Sequence, residues 1–355
     1  MRVGNIFTGT AAAAVTGDEA ASGASTKRLP LLDAAKFIAA AGVVLVHSAP
    51  PEELGWADGA GRFAVPFFGA ASVFLLGNSL WRKPDRPFLE FAANRFTRLY
   101  VPFFVWSGIY LALMELKFVI LHEHRHVAIT AATFVAGSAH HLWFLPSLFF
   151  ILLAAFVPMR AASRHPLLNG WLAALLLASG IVAALPVLDD FRLLHGFGAG
   201  TGYLFVLTWS MIPAVCWGGA LAALMRMQNA ASVLQSPWVS WLGLAGCIAC
   251  TAALCLRGRS RMLENIAGAA LVIAALPSPA RPLPPWIRTL GSYCYGIYLS
   301  HVAFLLGTVL VLDQAHVRPS IPRDFLICLI ALACSTVFCW VMSRWELGRL
   351  LVMTS

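Results

Sequence analysis

Charge is what this sequence has least of. Only 12% of the 355 residues are charged, whereas 59% are hydrophobic. Soluble domains carry roughly 25% charged residues, and a chain this poor in charge cannot cover a water-exposed surface. A mean hydropathy of +0.77 indicates the same. The composition excludes an ordinary soluble enzyme and predicts a polytopic membrane protein.

Motifs of several enzyme classes are also lacking. The sequence contains no glycine-rich phosphate loop preceded by a strand and no serine nucleophile elbow. The eight cysteines fall within or beside apolar runs, where cysteine behaves as a small hydrophobe. Cys247 and Cys250 lie one helical turn apart but have no neighbouring ligands that would complete a zinc site. We therefore expect no disulfide framework and no metal centre.

Apolar segments separated by short basic or Pro/Gly loops follow one another from Leu31 onward. Each is close to the ~20 residues that cross a bilayer as a helix. The pattern predicts an all-α bundle of about ten transmembrane helices. The predicted spans are 31–50, 62–80, 99–117, 141–158, 167–187, 202–224, 237–256, 263–278, 290–312 and 325–343.

The basic residues indicate an orientation. With the N-terminus inside, fifteen of the 25 Lys and Arg residues fall on the cytoplasmic side and nine on the other, with Lys36 inside the first span. Excess Lys and Arg mark cytoplasmic loops, so both termini are predicted to be cytoplasmic. Residues 1–27, rich in Ala, Gly, Ser and Thr, are expected to form a disordered cytoplasmic tail. Residues 28–348 would form the membrane domain, and residues 349–355 a short cytoplasmic tail.

The first span carries three ionisable residues, Asp33, Lys36 and His47. Charged groups within spans are costly, which makes them candidates for function. Lys36 and His47 are spaced to project from one helix face about 16 Å apart, and Asp33 is placed to neutralise Lys36. This pattern predicts a cavity that holds an anionic ligand at one end and performs acid–base chemistry at the other. The alternative is that Lys36 snorkels to the interface and His47 caps the helix.

Five blocks of sequence carry a resemblance. The first block begins at Arg28, continues through Leu32-Asp33 and ends in an Arg-x10-His pattern at His47, except that Lys36 stands where the second Arg is expected. Ala71-Ser72 stands where Ser-Gly usually follows the second block. The four later blocks are Val65–Phe68, Arg95–Pro102, His141–Leu145 and Gly291–His301. In this order, over about residues 28–305, they resemble the acyltransferase 3 family of integral membrane acyltransferases, and the chain is most similar overall to exopolysaccharide acetyltransferases of the xanthan type.

The resemblance implies a reaction. Members of the acyltransferase 3 family transfer an acyl group, most often acetyl, to a sugar hydroxyl of an exported glycan. The resemblance therefore implies an inner-membrane acyltransferase domain over residues 28–348. Acetyl-CoA would be a co-substrate, and no cofactor is expected. Expected partners are a polysaccharide or lipid-linked oligosaccharide acceptor, membrane lipids and other polysaccharide assembly proteins, but no nucleic acid.

Two histidines are the predicted catalytic residues. Acyl transfer to a hydroxyl needs a base within hydrogen-bond reach, and His47 is predicted to be that base or a transient acyl carrier. His301 is predicted to orient the acceptor or to assist proton transfer. The alternative for His301 is a polar residue that is satisfied within the bundle.

The other predicted site residues bind the donor or orient the catalytic groups. Acetyl-CoA is made in the cytoplasm and is anionic, so Lys36, Arg95 and Arg98 are predicted to bind it from the inner side. Positive-inside topology alone also explains the two arginines. A lysine at position 36 supplies a point charge, not the bidentate fork of arginine. The predicted structural or orienting residues are Asp33, His141, Trp143, Phe144 and Tyr298.

Two of the aromatic positions have alternative explanations. Trp143 and Phe144 would floor the acyl pocket or stack against a sugar, but an interfacial aromatic belt explains Trp143 equally well. The tyrosines of the last block, Tyr298 included, and Gly296 also fit simple close packing of helices.

Two other functions remain alternatives. Polytopic proteins with charge inside the membrane are often transporters, and a flippase for a lipid-linked glycan would act in the same pathway. His122, Glu123 and His126 match H-E-x-x-H, the zinc metalloprotease motif. A protease would need a third ligand from a distant helix, for which the sequence offers Asp189, Asp190 and Asp313.

Overall fold

The computed structural model describes residues 29–48, 55–122, 129–185, 201–277 and 282–352. Within these ranges every regular element is a helix, and the predicted all-α polytopic architecture is confirmed. The predicted N-terminal tail, residues 1–27, lies outside the described residues. Of the predicted C-terminal tail, the part up to Val352 belongs to a short helix that packs on the bundle, where Val352 is fully buried.

The helices are numbered here in chain order. A 3-10 turn, His140–Trp143, directly precedes α6. The α-helices are α1 (Pro30–Ser48), α2 (Gly55–Gly61), α3 (Ala64–Arg82), α4 (Phe88–Ile120), α5 (Ala131–Ala136), α6 (Phe144–Arg164), α7 (Leu168–Ala184), α8 (Thr201–Leu224), α9 (Gln228–Leu234), α10 (Pro237–Arg257), α11 (Arg261–Ala274), α12 (Pro285–Gln314), α13 (Ile321–Met342) and α14 (Glu346–Val352).

A helix coincides with each predicted span. In the described part of the chain, eight helical segments are long and apolar enough to cross a membrane. Helix α7 is apolar but has 17 residues, and α11 has 14. Both are shorter than the ~20 residues that cross a bilayer without tilt or thinning.

Two helices extend well beyond their predicted spans. Helix α4 begins at Phe88 and not at residue 99, and α12 runs from Pro285 to Gln314 where residues 290–312 were expected. Hydropathy detects only the apolar part of a helix, whereas the helical hydrogen bonds continue into its polar end. As a consequence, Arg95 and Arg98 lie on the first turns of α4 and not in a loop.

The two ends of the bundle carry different loops. We name each end by the residue of α1 that lies there, the Lys36 end and the His47 end. At the Lys36 end, Arg164 at the end of α6 pairs with Asp85 in the α3–α4 loop at 2.8 Å. At the His47 end, Arg62 after α2 pairs with Asp58 and with Glu264 of α11. The Arg164–Asp85 and Arg62–Glu264 pairs each join segments at one end of the bundle, as expected for helices that alternate in direction.

Helix α3 forms the centre of the bundle. It packs against α1, α6, α8 and α11, and its span is 67% buried, compared with 22% for α4. Small residues permit this close packing. A Cβ added to Gly218 would strike the backbone of Ala70, and one added to Gly268 would lie 2.6 Å from the amide nitrogen of Phe67.

A proline in α8 is compensated by a buried asparagine of α11. Pro213 lacks an amide proton and interrupts the hydrogen-bond ladder of its helix. The amide of Ala214 donates to Asn265 Oδ1 at 2.9 Å, and Asn265 Nδ2 donates to the carbonyl of Ser210 at 2.7 Å. Asn265 is completely buried, so it satisfies backbone groups that water cannot reach.

Candidate active site

Helix α1 places its two predicted functional residues in two different cavities. Lys36 lines one cavity and His47 lines the other. The Lys36 Nζ atom also lies 3.0 Å from Asp33 Oδ1, so the ion pair expected from their spacing is present. Since the two positions are about 16 Å apart along the helix axis, the cavities follow one another along α1.

The first, which we call the Lys36 cavity, is a mostly apolar space of about 180 Å³. Lys36 is its charged lining residue. Its wall is formed by α3, α6 and α12, with one residue each from α1 and α4. The lining residues are Lys36, Phe68, Ala71, Ser72, Leu75, Leu99, Phe144, Leu145, Leu148, Cys294, Tyr295 and Tyr298.

The second, which we call the His47 cavity, has a similar volume of about 180 Å³. One side is formed by imidazoles and the other by aliphatic side chains of α12. The lining residues are His47, His140, His141, Val302, Leu305, Leu306 and Val309.

Four histidines from three separate parts of the chain converge beside this cavity. The ring of His47 lies 5.3 Å from that of His301 and 6.2 Å from those of His140 and His141, measured between centroids. His141 and His301 are 5.0 Å apart. The structure therefore brings together His47, His141 and His301, which the sequence placed in three distant blocks.

His301 is held with one ring nitrogen available. Its Nδ1 atom lies 2.7 Å from the carbonyl oxygen of Tyr298 and 3.2 Å from that of Ile297. Carbonyls only accept, so we assign the proton of neutral His301 to Nδ1. Nε2 is then an acceptor, and it has no hydrogen-bond partner among the described residues although His301 is completely buried. The prediction that His301 is satisfied within the bundle thus holds for one nitrogen only.

Tyr298 connects the two cavities. Its ring lines the Lys36 cavity and lies 5.5 Å from His141 and 6.2 Å from His301. Its hydroxyl donates to the carbonyl of His141, which fixes the 3-10 turn that carries this histidine. Tyr110 packs against His141 from the other side, at 5.1 Å between rings, and donates to the carbonyl of Leu299 at 2.6 Å.

The late sequence block brings α12 close to α1. A Cβ on Gly291 would lie 2.6 Å from the carbonyl oxygen of Asp33, and one on Gly296 would meet Cys339 and Val352. Gly291 thus lets α12 approach the helix that carries Lys36 and His47. The expectation that Gly296 serves close packing agrees with this geometry.

The two predicted donor-binding arginines lie near the Lys36 cavity but do not line it. Arg95 places its guanidinium 5.2 Å from the ring of Phe91. The side chain of Arg98 is exposed, and its carbonyl accepts a hydrogen bond from the Tyr295 hydroxyl at 3.1 Å. Tyr295 and Leu99 line the cavity, so this part of α4 borders it.

Two predicted aromatic residues are inside the bundle. Phe144 lines the Lys36 cavity and packs 5.8 Å from Tyr298. Trp143 is 7% exposed and lies 6.0 Å from Phe144. A tryptophan of an interfacial belt would face lipid, so the belt interpretation of Trp143 does not fit this burial.

Several site residues were not predicted from the sequence. His140 lines the His47 cavity, Cys294 lines the Lys36 cavity, and Tyr110 supports His141. His140 and Cys294 each fall within or beside a block that carried the resemblance, which was the available signal. Tyr110 sits in an apolar run without any local signal.

The residues of the metalloprotease motif are only partly described. His122 follows α4 and is described, whereas Glu123 and His126, like Asp189 and Asp190, lie outside the described residues. Among the residues that the structure describes, no group of three or more His, Cys, Asp or Glu is arranged to hold a metal ion.

The described residues thus form a helical membrane protein in which buried histidines gather beside one of two cavities. A family model for the acyltransferase domain Acyl_transf_3 matches residues 29–344. The chain therefore belongs to this acyltransferase family, as the five blocks predicted. Comparisons with curated proteins and with solved structures find no match. Family membership supports a membrane acyltransferase and favours neither the transporter nor the protease.

Proposed function

We propose that this acyltransferase transfers acetyl from acetyl-CoA to a sugar hydroxyl of an exported polysaccharide or its lipid-linked precursor. The protein would act in the cell inner membrane, with both termini in the cytoplasm, as a relative of the xanthan-type exopolysaccharide acetyltransferases. The observation that supports this most is the course of α1, which has a lysine in one cavity and a histidine in the next.

The Lys36 cavity suits the donor. Coenzyme A is a polyanion attached to a pantetheine arm, and the cavity is mostly apolar with a cation in its wall. Arg95 and Arg98 add positive charge nearby on α4, where they would attract the phosphates. We propose that the arm occupies this cavity and brings the thioester towards Tyr298 and the histidines.

The His47 cavity suits the reaction with the acceptor. His47 removes the proton of the acceptor hydroxyl while its oxygen attacks the thioester carbonyl. The carbon–sulfur bond then breaks, and the His47 imidazolium returns the proton to the coenzyme A sulfur. The products are an acetyl ester and free coenzyme A. His301, with Nε2 as an acceptor, would orient the sugar by accepting a hydrogen bond from a neighbouring hydroxyl, because the proton of the attacking hydroxyl goes to His47.

A covalent route uses the same residues. His47 would attack the thioester itself, carry the acetyl group on its ring nitrogen and pass it to the acceptor. The two routes differ in whether acetyl-CoA alone labels the protein. Rapid quenching after addition of radiolabelled acetyl-CoA without acceptor separates them.

The proposed reaction is tested with purified protein in lipid nanodiscs, radiolabelled acetyl-CoA and an oligosaccharide acceptor. We expect label in the acceptor with the wild type and none above background with His47→Ala. His165→Ala, at an exposed histidine after α6, is the matched control and should keep full activity. Equal labelling by the wild type and His47→Ala would contradict the proposal.

A further inference from the structure

His47 needs a counter-charge during the proposed reaction. It becomes an imidazolium whenever it holds the acceptor proton, and a buried cation without a partner is costly. The rings nearest to it are those of His301, His140 and His141. Imidazoles bring no negative charge, so the stabilising group must come from another element.

The short helix α2 brings a carboxylate to this place. Gly61, at its end, packs directly against Gly42 and Val46 of α1, and Val46 is the residue before His47. Gly59 packs on the backbone of α10, where an added Cβ would lie 2.8 Å from the carbonyl of Leu254. Two contacts through glycines therefore fix α2 against α1 and α10. Asp58, about one turn before Gly61, interacts electrostatically with His47.

The Asp58 carboxylate is itself held in place. Arg62 Nε donates to Asp58 Oδ2 at 2.8 Å, and Arg62 Nη1 lies 3.6 Å from Glu264 Oε1 on α11. The Arg62 and Glu264 side chains are each 14% exposed. The guanidinium therefore lies between two carboxylates, those of Asp58 and Glu264. Glu264 also interacts with Arg259 and Arg261.

We infer that Asp58 is a positioning residue that acts through His47: its charge stabilises the His47 imidazolium while the acyl group is transferred. The inference rests on the proposed function. The carboxylates of Asp313, which pairs with Arg323, and of Asp324 also lie at this end of the bundle and serve as comparisons.

The test is the pH–activity profile of acetyl transfer by Asp58→Asn in nanodiscs. His47 must be neutral to act as a base, so activity falls on the acidic side. Without the Asp58 charge the imidazolium is less stable, and this acidic limb should move to lower pH by about one unit, a tenfold change in proton affinity. The plateau rate should fall at least ~10-fold with an unchanged KM for acetyl-CoA, because the effect is on the transition state.

Glu264→Gln is the matched control. It removes a carboxylate from the same ion-pair cluster but keeps that of Asp58. The acidic limb of its pH–activity profile should therefore match that of the wild type. Asp324→Asn should leave the limb unchanged as well. If Asp58→Asn does not accumulate, Asp58→Ser also removes the carboxylate while keeping Arg62 and should show the same shift.

Three results would overturn the inference. The first is an Asp58→Asn profile that superimposes on that of the wild type. The second is an equal shift in Glu264→Gln or Asp324→Asn, which would indicate a general effect of charge at this end. The third is a wild-type protein that transfers no acetyl, which would contradict the proposed function before Asp58 is considered.

Discussion

His47 and His301 stand 5.3 Å apart between ring centroids, with their planes inclined by 39°. One comes from the first span and the other from the ninth predicted span, so the bundle must be assembled before they meet. His301 keeps Nε2 unbonded in a fully buried position, among the described residues. An unsatisfied buried acceptor is costly and marks a position where a ligand or a proton donor is expected.

Replacing His301 should reduce catalysis without unfolding the protein. We expect His301→Phe to lower the rate of acetyl transfer by about 10²-fold or more, because the Nε2 acceptor that orients the sugar is lost. The measurement is the initial rate at saturating acetyl-CoA, with the amount of protein in the membrane quantified in parallel. A variant with the wild-type rate would contradict this catalytic contribution and leave His301 with a role in packing only.

The charge at position 36 should govern donor affinity. Lys36→Met should raise the KM for acetyl-CoA roughly 10-fold, which corresponds to the loss of one charged contact. Lys36→Arg should be tolerated, or should bind the donor more tightly, because the guanidinium restores the residue that the resemblance leads one to expect. An inactive but well-folded Lys36→Arg would refute that equivalence.

Two glycines of α12 form a matched pair for a test of helix packing. A Cβ on Gly291 would overlap the backbone of Asp33, whereas one on Gly307 would meet nothing within 4 Å. Gly291→Ala should therefore destabilise the protein by roughly 1–3 kcal/mol and reduce activity, since it pushes α12 away from α1. Gly307→Ala should leave both unchanged or raise stability slightly. Thermal unfolding in detergent measures the difference, and equal melting temperatures would contradict the packing assigned to Gly291.

The buried asparagine of α11 should matter for stability and not for chemistry. Asn265→Leu leaves the Ala214 amide and the Ser210 carbonyl without their partner, which should cost roughly 1–3 kcal/mol. Asn229→Leu, at an exposed position in α9, is the control and should unfold like the wild type. If Asn265→Leu melts at the wild-type temperature, the proline in α8 needs no such compensation.

Much of the fold was predictable because a bilayer imposes its thickness on every span. Hydropathy alone predicted ten spans, and the structure has a helix at each of them. Hydropathy missed the early start of α4, where the turns that carry Arg95 and Arg98 are helical but polar. Helix α2 was also missed, since its seven residues between the first two spans have no apolar periodicity.

The candidate site was predictable only in pieces. His47, His141 and His301 each belonged to a block that resembled the family, but nothing in the sequence states which helix faces which. Their convergence depends on small residues such as Gly291, which set the distance between helices. His140 lies directly beside one of these blocks, which was its only signal, whereas Asp58 became visible only in three dimensions because its sequence resembles that of a connecting loop.

The most direct test of the account is the O-acetyl content of the exported polysaccharide, measured by proton NMR. The strains compared lack this protein, or carry the wild type, His47→Ala or His165→Ala, with membrane levels of each variant checked. We predict that acetyl disappears in its absence, returns with the wild type and His165→Ala, and stays absent with His47→Ala. Normal acetylation with stably inserted His47→Ala, or loss of the polysaccharide itself with unchanged acetylation of the remainder, would contradict the account.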